Sequence, residues 1–291
     1  MPIAFNIPTP IENYTFHGID FLLKRDDLIS KDFSGNKARK IKYYINNISP
    51  NITTIKSFGS IQSNAMYSLS VFAKEMGLKY IYYAHHIPQN LLREPIGNLK
   101  YALDNGMVLK EGYNFKIEEN ELFINEGIAQ KEAYYGIKEL AKELISQLDI
   151  NKYYQIFLPS GTGTTALFLS KALKELNALN FKVYTTPCVG NRDYLIEQFN
   201  NLESNSSLYP IILDTKKRYH FGKLYKEFYK IWLELQKITN VEFELLYDPK
   251  AWIVINENKE IFSNLVYIHQ GGEIGNISMI QRYKQKYGEI E

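Results

Sequence analysis

Residues 153–177, "YYQIFLPSGTGTTALFLSKALKELN", join an apolar strand-like run, a glycine-rich loop and a helix-like run. The first run is rich in aromatic and branched residues, and the last has apolar residues at helical spacing. Units of this kind recur along the chain, for example in residues 52–77. Strands that alternate with helices indicate an α/β protein with mostly parallel sheets, whose ligands bind where strands lead into helices. The loops that follow the strands are therefore the expected place of a functional site.

The composition is that of an ordinary globular protein. The chain has 291 residues, of which 45% are hydrophobic and 23% charged, and a formal net charge of +2. Because no basic block stands out, we expect neither nucleic acid nor a membrane as partner. The N-terminus lacks the pattern of a secretion signal, so we expect a cytoplasmic protein. The single cysteine, Cys188, cannot form an internal disulfide, and a buried apolar role is expected for it.

The glycine-rich loop at residues 159–168 is suited to hold a phosphate group. Glycines let backbone N–H groups approach an anion, and the start of the following helix favours negative charge. Gly161, Gly163 and Ala166 also match a dinucleotide-binding pattern, but that pattern requires an acidic residue at the end of the next strand. Here that strand ends "VYTTPCV". We predict a phosphate cradle, and a tight turn without a ligand is the alternative.

Two further strand-to-helix loops carry polar groups. In "GSIQSNAMY", residues 59–67, Ser63 and Asn64 stand at a helix start, where N-capping is the structural alternative. In "FSGNKARK", residues 33–40, Lys37 lies in the first turn of a helix, where the macrodipole lowers the pKa of an amine. A neutral amine is a nucleophile that can form a Schiff base. The alternative is a solvated basic helix face with Arg39, Lys40 and Lys42.

Together the three loops suit one ligand, pyridoxal 5'-phosphate. The lysine would hold its aldehyde, the glycine-rich loop its phosphate, and the amide its phenolic oxygen, while the pyridine ring acts as an electron sink. His85, His86 and His220 show no ligand spacing with other candidates, so we expect no metal.

Seven short motifs then carry a family resemblance: "PTPIE", "FLLKRDDL", "SGNKARK", "GSIQSNAM", "GNL", "SGTGTT" and "YIHQGG". Their order resembles the 1-aminocyclopropane-1-carboxylate (ACC) deaminase and D-cysteine desulfhydrase family, within the tryptophan-synthase-β-like (fold type II) pyridoxal-phosphate enzymes. The resemblance runs from Pro8 to about Gly272. It implies two open, twisted, mostly parallel sheets flanked by helices, and a homodimer. It also implies a large domain of residues 1–46 and 151–291, a small inserted domain of residues 47–150, and an active site in the cleft between them.

The resemblance also implies roles for individual residues. Lys37 looks like the Schiff-base lysine and the group that moves the α-proton, and Lys40 would approach the phosphate. Asn64 would bond the phenolic oxygen, while Ser63 and the nearby backbone would receive the substrate carboxylate. The phosphate loop would consist of Gly161, Thr162, Gly163 and Thr164.

The segment "LLYDPKAW" places Tyr247 in the register of the family's catalytic tyrosine. Asp248 falls where deaminase members carry a glutamate near the pyridine nitrogen, and a turn at Asp248-Pro249 is the alternative. The chain departs from the family pattern at three places. Pro249 replaces a glycine, Ala65 stands where glutamine or histidine is usual, and Gln270 replaces the threonine of a His-Thr-Gly-Gly motif.

These patterns lead to three hypotheses of function. The first is a pyridoxal-phosphate-dependent lyase or deaminase that converts a small amino acid to a 2-oxo acid and ammonia, by D-cysteine desulfuration or by opening the cyclopropane ring. The second is a dinucleotide-dependent oxidoreductase, which lacks its expected acidic residue. The third is a family member that binds the cofactor without turnover, because the substrate-side positions Ala65 and Gln270 are altered.

Overall fold

The computed structural model describes residues 3–288 and has an α/β fold. In chain order its strands are β1 (Ile11–Phe16), β2 (Ile19–Arg25), β3 (Thr54–Phe58), β4 (Lys79–Ala84), β5 (Val108–Glu111), β6 (Glu121–Ile124), β7 (Tyr154–Ser160), β8 (Phe181–Pro187), β9 (Ile211–Ile212) and β10 (Leu265–His269). They form two sheets, of six and four strands.

The two sheets are almost entirely parallel. The larger has the order β1-β2-β10-β7-β8-β9, and only the edge strand β1 pairs antiparallel, with β2. The smaller has the order β5-β4-β3-β6, and all its pairs are parallel. Parallel pairing brings the carboxyl ends of neighbouring strands to the same edge, so the loops that follow them lie together.

Helices cover the sheets. They are α1 (Gly35–Asn47), α2 (Asn64–Glu75), α3 (Gln89–Arg93), α4 (Gly97–Asp104), α5 (Ala133–Gln147), α6 (Thr164–Glu175), α7 (Arg192–Leu202), α8 (Lys226–Thr239), α9 (Asp248–Glu257) and α10 (Ile274–Tyr287). None of these helices, within residues 3–288, is long and apolar enough to cross a membrane.

The larger sheet is buried on both faces. In β10, Leu265 and Tyr267 belong to one apolar core together with Trp252 of α9, while Val266 and Ile268 belong to another together with residues of α5 and α6. Alternate residues of a strand point to opposite faces, and burial of both faces explains the unbroken apolar run "LVYI". The predicted α/β class with mostly parallel sheets is confirmed.

Each sheet is built from separate parts of the chain. The strands of the smaller sheet lie between Thr54 and Ile124, and those of the larger sheet lie before and after that stretch. Helix α1 packs in the core of the smaller sheet through Ala38 and Ile41, whereas α5 packs in a core of the larger one. The domain boundaries at residues 47 and 150 stay a prediction.

Candidate active site

The candidate site residues of the sequence meet in one cavity of about 880 Å³. Its walls include the segments that follow β3, β6, β7, β8 and β10, and so lie at the carboxyl ends of both sheets. All ten residues singled out in the sequence line it: Lys37, Lys40, Ser63, Asn64, Gly161, Thr162, Gly163, Thr164, Tyr247 and Asp248.

Lys37 is a half-buried amine at the start of α1. Its Nζ donates a hydrogen bond of 2.8 Å to Oδ1 of the neighbouring Asn36. Burial lowers the pKa of Lys37 to about 8, against the opposing effect of the Glu244 carboxylate. A substantial fraction of the amine is therefore neutral near physiological pH, as a nucleophile requires.

Lys40 lies one turn further along α1 and is almost completely buried, with 3% of its surface exposed. Its Nζ donates to the carbonyl oxygen of Gly127 at 2.9 Å, and no carboxylate among residues 3–288 forms an ion pair with it. Burial, followed by the charge of Lys37, holds the pKa of Lys40 well below its ordinary value. Arg39 is also buried, so the alternative of a solvated basic face is wrong.

The loop after β7 turns sharply into α6. Gly163 precedes the helix with φ of +73°, and a Cβ there would lie 2.5 Å from side-chain atoms of Leu195 and Phe199. Only glycine fits such a position without strain. The hydroxyls of Thr162 and Thr164 lie 3.0 Å apart beside the open end of the helix. Free backbone N–H groups and two hydroxyls at a helix N-terminus form a place for an anion.

Ser63 and Asn64 stand at the start of α2. The Ser63 hydroxyl accepts hydrogen bonds from the N–H groups of Ala65 and Met66, so the N-capping alternative is realised while the residue still lines the cavity. Oδ1 of Asn64 accepts from the buried Asn98 at 2.7 Å. Nδ2 of Asn64 makes no hydrogen bond within residues 3–288, so this residue of the cavity wall has a free donor.

Tyr247 and Asp248 open α9. The half-buried Tyr247 presents its hydroxyl to the glycine-rich loop, where a Cβ on Gly161 would lie 3.4 Å from Oη. Asp248 is the first helical residue and Pro249 follows it in the first turn, a position that proline favours. Oδ1 of Asp248 accepts from the Tyr267 hydroxyl at 2.5 Å and Oδ2 from the Glu244 N–H at 2.8 Å.

Glu244 is a site residue that the sequence analysis missed. It is 3% exposed, and its Oε2 accepts from the N–H groups of Leu246 and Tyr247 at 2.9 and 2.7 Å. Its Oε1 has no hydrogen-bond partner within residues 3–288 and borders the cavity. Burial raises the pKa of Glu244 well above its usual value, and Asp248 adds to the effect. In the sequence, the signal that could have identified Glu244 is its position three residues before Tyr247.

Asp27, His269 and Glu273 form a cluster beside the cavity, with ligand atoms within 4.8 Å of one another. Both ring nitrogens of His269 are already engaged, since Nε2 lies 2.8 Å from the Glu242 carbonyl oxygen and Nδ1 accepts from Gly271 N–H at 3.2 Å. These contacts leave the imidazole no free nitrogen for a metal ion. Cys188 is buried, and burial raises its pKa to about 12, as an unreactive thiol requires.

Comparisons with known proteins support the resemblance. No protein-family model matches the chain. A Thermotoga maritima protein named provisionally as an ACC deaminase is 23% identical, over 94% of this chain and 97% of that protein. A mitochondrial bifunctional D-cysteine desulfhydrase/ACC deaminase of Arabidopsis thaliana is 24% identical, over 66% of this chain and 55% of that protein. The predicted resemblance to this group is confirmed.

The crystal structure of an ACC deaminase homologue superposes with a TM-score of 0.82 at 21% identity, and the match covers 98% of this chain and 94% of that one. The prediction of a fold type II architecture is therefore confirmed.

Proposed function

We propose that this protein is a pyridoxal-phosphate-dependent lyase or deaminase that converts a small amino acid to a 2-oxo acid and ammonia. The observation that carries the proposal is the meeting of a low-pKa lysine, an unpaired buried lysine, an amide donor and an anion-binding loop in one cavity. One relative is named provisionally as an ACC deaminase, and another is named as a bifunctional D-cysteine desulfhydrase/ACC deaminase. When bound, the cofactor supplies an electron sink for the bond that breaks at the substrate's α-carbon.

The residues of the cavity fit this cofactor. Lys40 is a buried amine whose contact within residues 3–288 is a carbonyl oxygen, and to charge it there without a counter-charge is costly. A phosphate at the N-terminus of α6 would supply that charge, next to the hydroxyls of Thr162 and Thr164. Lys37 would bond the aldehyde carbon, and Nδ2 of Asn64 would donate to the phenolic oxygen.

The protein's own groups would then bind and move protons. Lys37, once released by the substrate amine, would take or return the proton at the α-carbon. Tyr247 would be a second group that transfers protons, because its hydroxyl borders the cavity beside Gly161. Ser63 and the backbone at the start of α2 would receive the substrate carboxylate, with a helix N-terminus that favours negative charge.

Asp248 is the proposed partner of the pyridine nitrogen. Burial raises its pKa, while the hydrogen bond from the Tyr267 hydroxyl opposes this shift. Both its oxygens already accept hydrogen bonds, from Tyr267 and from the backbone of Glu244, and each carboxylate oxygen has a second lone pair for a further donor. A charged carboxylate there would keep the pyridine nitrogen protonated and would strengthen the electron sink.

The proposal is tested by spectroscopy and by a substrate panel. Protein reconstituted with pyridoxal phosphate should be yellow, and ammonia and a 2-oxo acid should appear with at least one member of a panel of D-amino acids, L-amino acids and ACC. A protein that stays colourless with excess cofactor would contradict the proposal. A yellow protein inert to the whole panel would instead support the alternative of cofactor binding without turnover.

The proposal includes a homodimer. Light scattering coupled to size-exclusion chromatography should give twice the chain mass of 33.9 kDa, and a mass of one chain would contradict that part.

A further inference from the structure

Gln270 stands at the end of a chain of hydrogen bonds that leads to Lys37. Its Nε2 donates to the carbonyl oxygen of Pro159 at 2.7 Å, and its Oε1 accepts from Nδ2 of Asn36 at 2.8 Å. Oδ1 of Asn36 in turn accepts from Nζ of Lys37, also at 2.8 Å. The chain thus joins the end of β7, the loop after β10 and the start of α1.

The direction of this chain is fixed by its first member. A carbonyl oxygen can only accept, so the Pro159 oxygen requires the NH₂ end of the Gln270 amide. The oxygen end of Gln270 then faces Asn36 and requires the NH₂ end of the Asn36 amide. The oxygen end of Asn36 is left to face Lys37, whose ammonium group can only donate.

The backbone holds the two amides close to each other. The N–H of Asn36 donates to the carbonyl oxygen of Gln270 at 2.9 Å. Gly35 allows this approach, since a Cβ there would lie 2.4 Å from the same oxygen. Asn36 is buried, so its amide has little access to water, and Nδ2 has one further, longer hydrogen bond, to the Thr165 hydroxyl at 3.3 Å.

We propose that Gln270 is a positioning residue: through Asn36 it presents an amide oxygen to the amine of Lys37 and holds that amine in the cavity whenever it is not bonded to the cofactor. This inference rests on the proposed function. The threonine of the family motif could not build the same chain, because its hydroxyl ends two bonds nearer the backbone than the glutamine amide.

The chain has a measurable consequence for Lys37. A hydrogen-bond acceptor that faces an amine favours its protonated form. Loss of the acceptor should therefore lower the pKa of Lys37 below the present value of about 8. The charged groups that act on Lys37 are Glu244, from the segment before α9, and Lys40 on α1. Substitutions at position 270 leave both in place.

The test is the pH profile of Lys37 labelling in the full chain freed of cofactor, with acetic anhydride as the probe and peptide mass spectrometry as the readout. In Gln270→Met the labelling midpoint should fall by about one pH unit, the value of one hydrogen bond to a charged group. Gln89→Met, the same change at an exposed position that does not line the cavity, should leave the midpoint in place.

Activity gives a second readout. In the loaded enzyme, Gln270→Met should lower kcat about tenfold with little change in KM, because Lys37 is less often in position after substrate binds. Gln270→Thr should behave as Gln270→Met does and serves if the methionine variant does not fold.

A wild-type labelling profile in both Gln270→Met and Gln270→Thr would overturn the inference. The labelling requires no cofactor, so failure of the proposed function would leave this result interpretable.

Discussion

Helix α1 contains two buried basic residues, Arg39 and Lys40, whose hydrogen-bond partners differ. Arg39 is 2% exposed, and its guanidinium forms four hydrogen bonds of 2.6–3.0 Å to the carboxylates of Asp26 and Glu143. Lys40, next to it in sequence and equally buried, has the Gly127 carbonyl oxygen as its contact. Burial disfavours the charge at both places, but the two carboxylates overcome it and raise the pKa of Arg39, whereas the pKa of Lys40 falls.

The difference distinguishes basic residues that stabilise the fold from basic residues that could bind an anionic ligand. Where a cation is structural, the protein supplies the counter-charge itself, as it does for Arg39. Lys24 joins the same network through Glu143 at 2.9 Å and Gln147 at 2.7 Å. The motif "KRDD" thus supplies both Lys24 and Asp26 to a structural network, while "GNKARK" contributes to both regions.

Lys37→Ala should have the largest effect on function. It removes the nucleophile and the proton carrier together, so activity should fall by at least about a thousandfold. The free energy of unfolding of the cofactor-free protein should not fall, because the lost amine has no carboxylate partner in a hydrogen bond. Steady-state kinetics and urea denaturation measure the two effects, and activity within tenfold of wild type would contradict the assignment.

Arg39→Met should have the largest effect on stability. It leaves the buried carboxylate of Asp26 without its cation, and breaking a buried pair costs about 3–5 kcal/mol. Urea denaturation measures the loss. The matched control is Lys42→Met on the same helix, whose more exposed pair with Glu139 should be worth less than about 1 kcal/mol. Equal losses in the two variants would remove the distinction between the regions.

Lys40→Met should show the reverse of Arg39→Met. The cofactor-free protein should be no less stable, because a buried polar amine without a carboxylate partner is replaced by an apolar side chain. Affinity for pyridoxal phosphate should fall about 10- to 100-fold, the value of one hydrogen bond to a charged group. Spectroscopic titration with the cofactor measures the affinity. A clear loss of stability with unchanged affinity would place Lys40 in the structural class.

A further effect should appear in the pH dependence of stability. Burial lowers the pKa of Lys37 from 10.5 to about 8, and lowers that of Lys40 in the same direction. Between pH 8 and 10.5 the unfolded chain therefore binds more protons, so these lysines make the free energy of unfolding rise with pH. The urea midpoint of wild type should rise more steeply between pH 8 and 10.5 than that of a Lys37→Met/Lys40→Met variant. Equal slopes of the urea midpoint against pH in the two proteins would contradict the lowered pKa values.

Much of the site was accessible from sequence because it consists of strand-to-helix loops. Lys37, Asn64 and the loop at 161–164 each follow local rules for helix starts, and the cavity brings them together. The cofactor-binding and catalytic roles of these residues are part of the proposed function. Local rules were not sufficient for Asp248. Neither the pyridine-partner interpretation nor the turn predicted that Asp248 begins a helix. Nor did they predict that its carboxylate accepts a hydrogen bond from Tyr267, which is 19 residues away in sequence.

The elements that sequence analysis did not identify depend on distant contacts. Strand β10 is buried on both faces and has no alternating pattern, so periodicity gives no signal for it. Glu244 looks like any charged residue until α9 and the cavity enclose it. Gln270 differs from the family pattern, and its effect depends on partners 111 and 234 residues away, which no local rule can supply.

The most direct test of the central claim is to locate the covalent bond. The protein should be reconstituted with pyridoxal phosphate, reduced with borohydride, digested and mapped by mass spectrometry. The account predicts the added pyridoxyl phosphate on Lys37 and none on Lys40, although both amines line the same cavity. Label on Lys40 or another lysine with Lys37 unmodified, or no label at saturating cofactor, would contradict it.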